Sequence, residues 1–250
     1  MTSRRRLFPL LALLPLMGAL TATFALAADA PPSSAASPEV LKTDVARVAR
    51  LVLEPGAATP PHTHVDPHLA VALVDGTLAS LATDGTVTPR PMHEGVLAYV
   101  PAGLTHTLRN DGAATFRAVT IDLLRPQTGA RNRCASVLPG PSGDCPKSSA
   151  TPRDALLSPQ METDQTRVSL LTLAPGKEQV FKGAAIPPLI VALAGAEAKA
   201  LIELHVPGAP VGEGEMPLHE GDAATSLAKS PLTVRNTGAA PARFLVVEFR

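Results

Sequence analysis

The chain is poor in aromatic residues: they make up 3% of it, with no Trp and one Tyr, Tyr99. Acidic and basic residues balance at 22 each, so the formal net charge is zero. Without stacking side chains or a surplus of Lys and Arg, the usual devices of nucleic-acid binding are missing, and nucleic acid is excluded as a partner. Beyond Ala30 there are no long amphipathic helical patterns and no second long apolar run, so the mature chain offers no membrane span. Hydrophobic residues still account for 45%, enough to build real cores.

What is present begins with "MTSRRRLFPLLALLPLMGALTATFALAADA". Arg4, Arg5 and Arg6 precede an apolar run from Leu7 that ends in the small-residue box Ala25–Ala27. This pattern predicts a secretory signal over residues 1–27, a flexible linker over 28–40, and a periplasmic or secreted protein with no membrane contact once the signal is cleaved. "RRLF" weakly resembles a twin-arginine signal, so the export route stays open. The only two cysteines, Cys134 and Cys145, lie in "RNRCASVLPGPSGDCPKSS", inside a Pro/Gly/Ser-rich stretch read as a linker over 126–162. In an oxidising compartment such a pair predicts a disulfide, with two free thiols as the alternative. Zinc is disfavoured there, because no further ligand sits nearby.

The chain repeats itself. "TDVARVARLVLEPGAATPPHTHVDPHLAVALVDG" from Thr43 aligns without a gap to "TDQTRVSLLTLAPGKEQVFKGAAIPPLIVALAGA" from Thr163. Farther on, "MHEGVLAYVPAGLTHTLRNDGAATFRAVTIDL" aligns with "LHEGDAATSLAKSPLTVRNTGAAPARFLVVEF", the offset having grown through a longer hairpin in the second copy. Two copies of one small domain follow, over 41–125 and 163–250. Short apolar or alternating runs such as "RLVL", "LAVALV" and "FRAVTIDLL", separated by Asp-Gly turns at 75, 84 and 111, predict β-strands. That pattern fits a sandwich or a jelly-roll barrel, and periodicity does not choose between them.

Two motifs do choose. Gly56, five residues, His62, Thr63, His64, and then Gly76 resembles the first signature of the cupin superfamily. Gly95, Pro101, Ala102, Gly103, His106 and Asn110 resemble the second at every fixed position. The resemblance is strong over 41–125 and degenerate over 163–250. It implies an all-β fold of two tandem cupin-type double-stranded β-helix (jelly-roll) barrels, a bicupin, with a metal in the mouth of the first.

The residues support a metal on their own. Alternate residues of a strand share a face, so His62 and His64 can address one ion. His106 arrives from a distant strand behind the rigid "PAG" turn. Three imidazoles with open positions suit one divalent transition metal ion per chain; Fe(II) or Mn(II) fit cupin habit, while Zn, Cu and Ni also accept imidazole. Cupins usually add a Glu three or four residues after the second His, but here those slots hold His68 and Leu69. His68 is therefore a candidate fourth ligand, with water the alternative; Asp66 precedes the strand and is read as a turn residue. A neutral ligand set leaves the ion's charge uncompensated, which favours an anionic substrate.

In the second copy, linear alignment puts Lys182, Ala184 and Leu232 at the places of His62, His64 and His106, while Asn236 matches Asn110. The second barrel is expected to bind no metal. His93-Glu94 recurs there as His219-Glu220, which assigns the pair to a turn, and His205 to the surface. Candidate acids and bases are scarce beyond Tyr99 and Asp122, which disfavours isomerase chemistry. The sequence thus leads to an exported metal-dependent cupin, a small-molecule oxygenase of dioxygenase type, with a non-catalytic metal- or ligand-binding cupin as the alternative. The partner is a small, anionic molecule; the oligomeric state is open, a homodimer being one option.

Overall fold

The computed structural model describes residues 37–132, 135–137, 154–193, 195–204 and 212–250, all within the unit Pro32–Arg250. The leader at 1–27, Cys134, Cys145 and His205 lie outside the described residues. Among the described residues no helix is long and apolar enough to cross a membrane.

The first barrel contains β1 (Glu39–Lys42), β2 (Ala46–Leu53), β3 (His62–Thr63), β4 (His68–Ala72), β5 (Gly76–Ala82), β6 (Val87–Met92), β7 (Leu97–Val100), β8 (Thr105–Asn110) and β9 (Phe116–Leu123). Two short strands follow, β10 (Arg131–Asn132) and β11 (Ser136–Val137). The second barrel contains β12 (Ala155–Glu162), β13 (Thr166–Leu173), β14 (Glu178–Phe181), β15 (Leu189–Ala192), β16 (Ala198–Leu204), β17 (Gly212–Leu218), β18 (Ala223–Ala224), β19 (Leu232–Asn236) and β20 (Ala242–Phe249).

Each barrel closes a six-stranded sheet over a four-stranded one. The orders are β1-β2-β9-β4-β7-β11 with β3-β8-β5-β6, and β10-β12-β13-β20-β15-β18 with β14-β19-β16-β17. The sequence repeat is therefore a repeat of topology. The expected linkers are partly strand: β1 begins at Glu39, and β12 pairs along β13 with a register shift between Pro159 and Met161. Proline is compatible with a strand beside an irregularity or an edge, so a Pro-bearing stretch need not be loop.

The six-stranded sheets are apolar on both faces, and both faces are used. On β9, Phe116 and Ala118 face the barrel interior, while Val119, Ile121 and Leu123 face outward. On β4, Leu69 and Val71 point outward, joined by Leu97 and Tyr99 of β7. Val168, Leu189, Val191, Leu245 and Val247 of the second barrel meet them in one shared core. Full burial of such side chains stabilises by roughly 1.5–3 kcal/mol each. This explains near-continuous apolar runs where a solvated sheet would alternate.

Ion pairs rim this core with pseudo-twofold symmetry. Glu94 pairs with Arg243, and its repeat equivalent Glu220 lies 2.5 Å from Arg117 as an ion pair outside hydrogen-bond geometry. Both acids come from the recurring His-Glu-Gly turns, so these turns act between the barrels. Asn110 and Asn236 are equally matched. Each amide donates to two backbone carbonyls, of Leu53 and Ala114 or of Leu173 and Ala240, and its oxygen accepts from Gly112 or Gly238. The asparagine of the second motif is thus a buried clamp on a strand turn.

Candidate metal centre

The two motifs meet in space through backbone pairing. His62 stands opposite His106 in the β3–β8 ladder. The Gly103 N–H donates to the His64 carbonyl (2.8 Å), and the His64 N–H donates to the Leu104 carbonyl (3.0 Å). Gly103 has φ +84°, a left-handed conformation that glycine adopts without strain, and it turns the chain into β8 so that His106 points inward.

His62, His64 and His106 each offer one ligand nitrogen, and these atoms lie within 4.8 Å of one another. Among the described residues, this is the one group of three or more such side chains converging in this way. Nε2 of His64 is 3.0 Å from Nε2 of His106. Two imidazole nitrogens that close share either a proton or a cation. The remaining ring atoms are held by protein. His62 Nδ1 donates to the Pro60 carbonyl (2.9 Å), and Ser80 Oγ is 2.9 Å from His106 Nδ1. Fixing the outer nitrogen of a histidine orients the inner one toward an ion. The donor set therefore fits a divalent transition metal.

His68 lies beside this group. Its ring centroid is 4.7 Å from that of His64, and its Nδ1 is 2.7 Å from Asp122 Oδ1. Asp122 also accepts from Arg47 Nε at 2.8 Å. Burial pulls the Asp122 pKa upward, but hydrogen bonds from His68 and Arg47 outweigh it and hold the group at about 2. Burial, then repulsion from His68, His62 and His106, lowers His64 to about 3. Burial, then His62, His68 and Arg90, lowers His106 to about 4. Neutral imidazoles are the form that binds metal.

These side chains line the mouth of a cavity of about 510 Å³. Its interior is mainly apolar, with Leu51, Leu78, Met92, Ala98, Phe116 and Ala118 in the wall, and the nearly buried Arg90 also faces it. Tyr99 does not: it is buried in the core between the barrels. Asp122 was legible as one of the few candidate acids, late in a strand, but not as a cavity residue. Its inward face could have been read from β9 alternation, because Phe116, Ala118, Thr120 and Asp122 share one side.

The second barrel corrects one detail. Its β14–β19 register sets Phe181, not Lys182, opposite Leu232 where His62 stands opposite His106. The first copy carries one more residue between Ala58 and this pair, so the ungapped alignment runs one position ahead here. Leu232 is wholly buried and Phe181 packs against the same core, so an apolar pair occupies the place of two histidines.

A family described as "Cupin domain" matches residues 49–122. No curated protein matches the sequence. Among solved structures, AerE from Microcystis aeruginosa is similar at 12% identity and a TM-score of 0.57, covering 86% of this chain and 98% of that one. Salicylate 1,2-dioxygenase from Pseudoaminobacter salicylatoxidans, solved with gentisate adducts, shares 12% identity at a TM-score of 0.56, over 82% and 68% of the chains. Bacillus subtilis oxalate decarboxylase, in work on its Mn(II) centres, shares 13% identity at 0.54, over 84% and 74%. Identities this low speak to the fold alone.

Proposed function

The chain belongs to the cupin superfamily, and on that premise we propose that it is a metal-dependent oxygenase of small molecules, centred on the first barrel. The observation that carries this reading is the convergence of His62, His64 and His106 at the mouth of a mainly apolar cavity. These three residues would hold one ion, with His68 adjacent as a fourth donor. Mn(II) or Fe(II) is favoured, supported by the Mn(II) centres of the similar oxalate decarboxylase; Zn, Cu and Ni remain compatible with imidazole. A bound divalent ion supplies Lewis acidity and, if redox-active, electron transfer to dioxygen.

The chain's own residues bind and orient. Pro60 and Ser80 fix the His62 and His106 rings, and Asp122 fixes His68. Asp122 is committed to His68 and Arg47, and Tyr99 lies in the inter-barrel core. This leaves the site poor in groups that could shuttle protons, which favours oxygenase over isomerase chemistry. The proposal includes export, on the leader pattern alone, with mature protein beginning near Ala28; the intact mass of exported protein tests it.

Metal analysis followed by dioxygen uptake tests the function. Fe(II)-loaded protein should hold about one ion per chain and consume dioxygen with one of a panel of small organic acids and enolisable carbonyl compounds. Replacing His62 and His64 together by Ala should abolish both. Stoichiometric metal without uptake across the panel would instead make this a binding protein.

A further inference from the structure

The second barrel keeps the entrance of the first while closing its depth. Ser37, Glu39, Arg47 and Ala49 line the first cavity. The repeat sets Leu157, Pro159, Arg167 and Ser169 at those places on β12 and β13. Strand pairing agrees: Glu39 stands opposite Ala49 and Pro159 opposite Ser169, and in both copies a register shift follows before the next matched pair, Leu41–Val48 or Met161–Val168. The four residues of the second copy, with Met161 and Glu162, line a cavity of their own of about 280 Å³. Beyond it the barrel is packed. Ser169 pairs with Val246, and Val246 with Ile190, both wholly buried in the second core. In the first barrel those two places hold Thr120 and Ala70, which line the deeper cavity.

The chemistry of this entrance has changed along with its depth. Leu157 stands where the first barrel has Ser37, Pro159 where it has Glu39, and Ser169 where it has Ala49. The wall has therefore lost a charge and gained apolar surface, while the floor has gained a hydroxyl. That side chain is wholly buried, and its Oγ makes no hydrogen bond among the described residues. Pro159, directly opposite, has no N–H to offer it. A buried hydroxyl without a partner costs stability, and in native structures such a group marks a place that a ligand or an ordered water completes. The arginines at the rim are matched by acids: Glu162 pairs with Arg167 at 3.5 Å and also with Arg250, and Glu248 stands opposite Arg167 on β20. Neither a cation nor an anion finds an unmatched counter-charge there.

We infer that the mouth of the second barrel is a metal-independent binding site for a small neutral molecule, a compact apolar body bearing one hydroxyl or ketone oxygen. The oxygen meets Ser169 Oγ, and the body lies against Leu157, Pro159 and Met161. The inference stands on the second barrel alone and needs no ion in the first.

NMR titration of the protein, with and without Zn(II), by cyclohexanol, cyclohexanone, cyclohexylammonium and cyclohexanecarboxylate tests it. Both neutral rings should shift the amide and methyl signals of Leu157 and Met161 and the amide of Ser169 in a saturable way, with the same dissociation constant whether or not Zn(II) is present. The two charged rings should bind there at least about ten-fold more weakly, because the site replaces none of the water a charge gives up. Ser169→Ala copies Ala49 of the first barrel and keeps the strand pattern; it should weaken both neutral rings at least about three-fold, the worth of one hydrogen bond. Ser169→Leu fills the floor and should remove the shifts altogether; should it not fold, Ser169→Ala still decides. The inference is overturned if neither neutral ring gives saturable shifts at these three residues, the hydroxyl then meeting ordered water only. Shifts confined to Leu51, Leu78 and Met92 of the first cavity, charged rings binding as tightly as neutral ones, or undiminished binding by Ser169→Ala would overturn it equally.

Discussion

At the scale of single residues, the site depends on keeping imidazoles neutral and aimed. Ser80 is the clearest case of aim. With its hydroxyl on His106 Nδ1, the inner nitrogen is held toward His64. Ser80→Ala should weaken Mn(II) about ten-fold, the lower end of what loss of such a partner does, and a chelator competition assay reads it; unchanged affinity would show that packing alone orients the ring. Neutrality gives a pH effect with a definite sign. In the unfolded chain His64 and His106 take up protons below about pH 6.5, whereas in the folded, metal-free protein they resist until about 3 and about 4. Between those limits the unfolded state binds more protons, so stability falls as pH drops through that window. Urea titrations at stepped pH should show this slope, and His106→Leu, which copies Leu232 of the second barrel, should flatten it. The three histidines were legible because motif spacing is a local property. The partnership of His68 with Asp122 was not, because it exists only in the cross-strand register that sets them opposite each other.

At the scale of elements, the two copies let one turn be compared with itself. Gly103 and Lys229 occupy the same place: each N–H donates to the carbonyl of the matched residue, His64 or Ala184. The second copy keeps this bond with a lysine at φ +66°, the one non-glycine residue with positive φ among those described. A left-handed conformation costs an L-residue roughly 1–2 kcal/mol, partly offset in glycine by its greater unfolded entropy. Lys229→Gly should therefore stabilise the protein by about 1 kcal/mol, seen as a higher urea midpoint at constant m-value. Destabilisation would mean that the lysine side chain contributes contacts outweighing the strain. Strand existence was readable from apolar runs and Asp-Gly turns, and the repeat fixed their correspondence. Two things escaped it. β12 was hidden by Pro159, and the slip that brings Phe181 opposite Leu232 was hidden because an ungapped alignment carries no pairing register.

At the scale of the whole molecule, the two barrels share a core and so should share a transition. Val119, Ile121 and Leu69 of the first barrel pack in one cluster with Leu245, Val247 and Leu189 of the second, and Glu94–Arg243 and Glu220–Arg117 close it from two sides. Neither six-stranded sheet could expose that face to water without losing the burial of every residue in it. Repeat detection found two domains but not this core, because the outward apolar residues read the same whether they face solvent, a partner chain or the other copy. The consequence is testable through the metal. An ion that binds only the native first barrel adds RT ln(1 + [L]/Kd), about 3–4 kcal/mol at roughly 100- to 1,000-fold excess over Kd. If the barrels were independent, Mn(II) would raise one thermal transition and leave the other in place. With a shared core, calorimetry should show a single transition that moves upward as a whole. Hydrogen exchange should slow in the globally protected amides of β13 and β20, although no metal-ligand candidate lies on those strands. Leu245→Ala probes the same coupling from the other side. It removes a buried side chain of the second barrel at a cost of about 2–5 kcal/mol, and it should lower the midpoint of that one transition while leaving Mn(II) stoichiometry unchanged. Two resolved transitions in wild-type protein, only one of them responsive to Mn(II), would show that the apolar face between the barrels does not couple them.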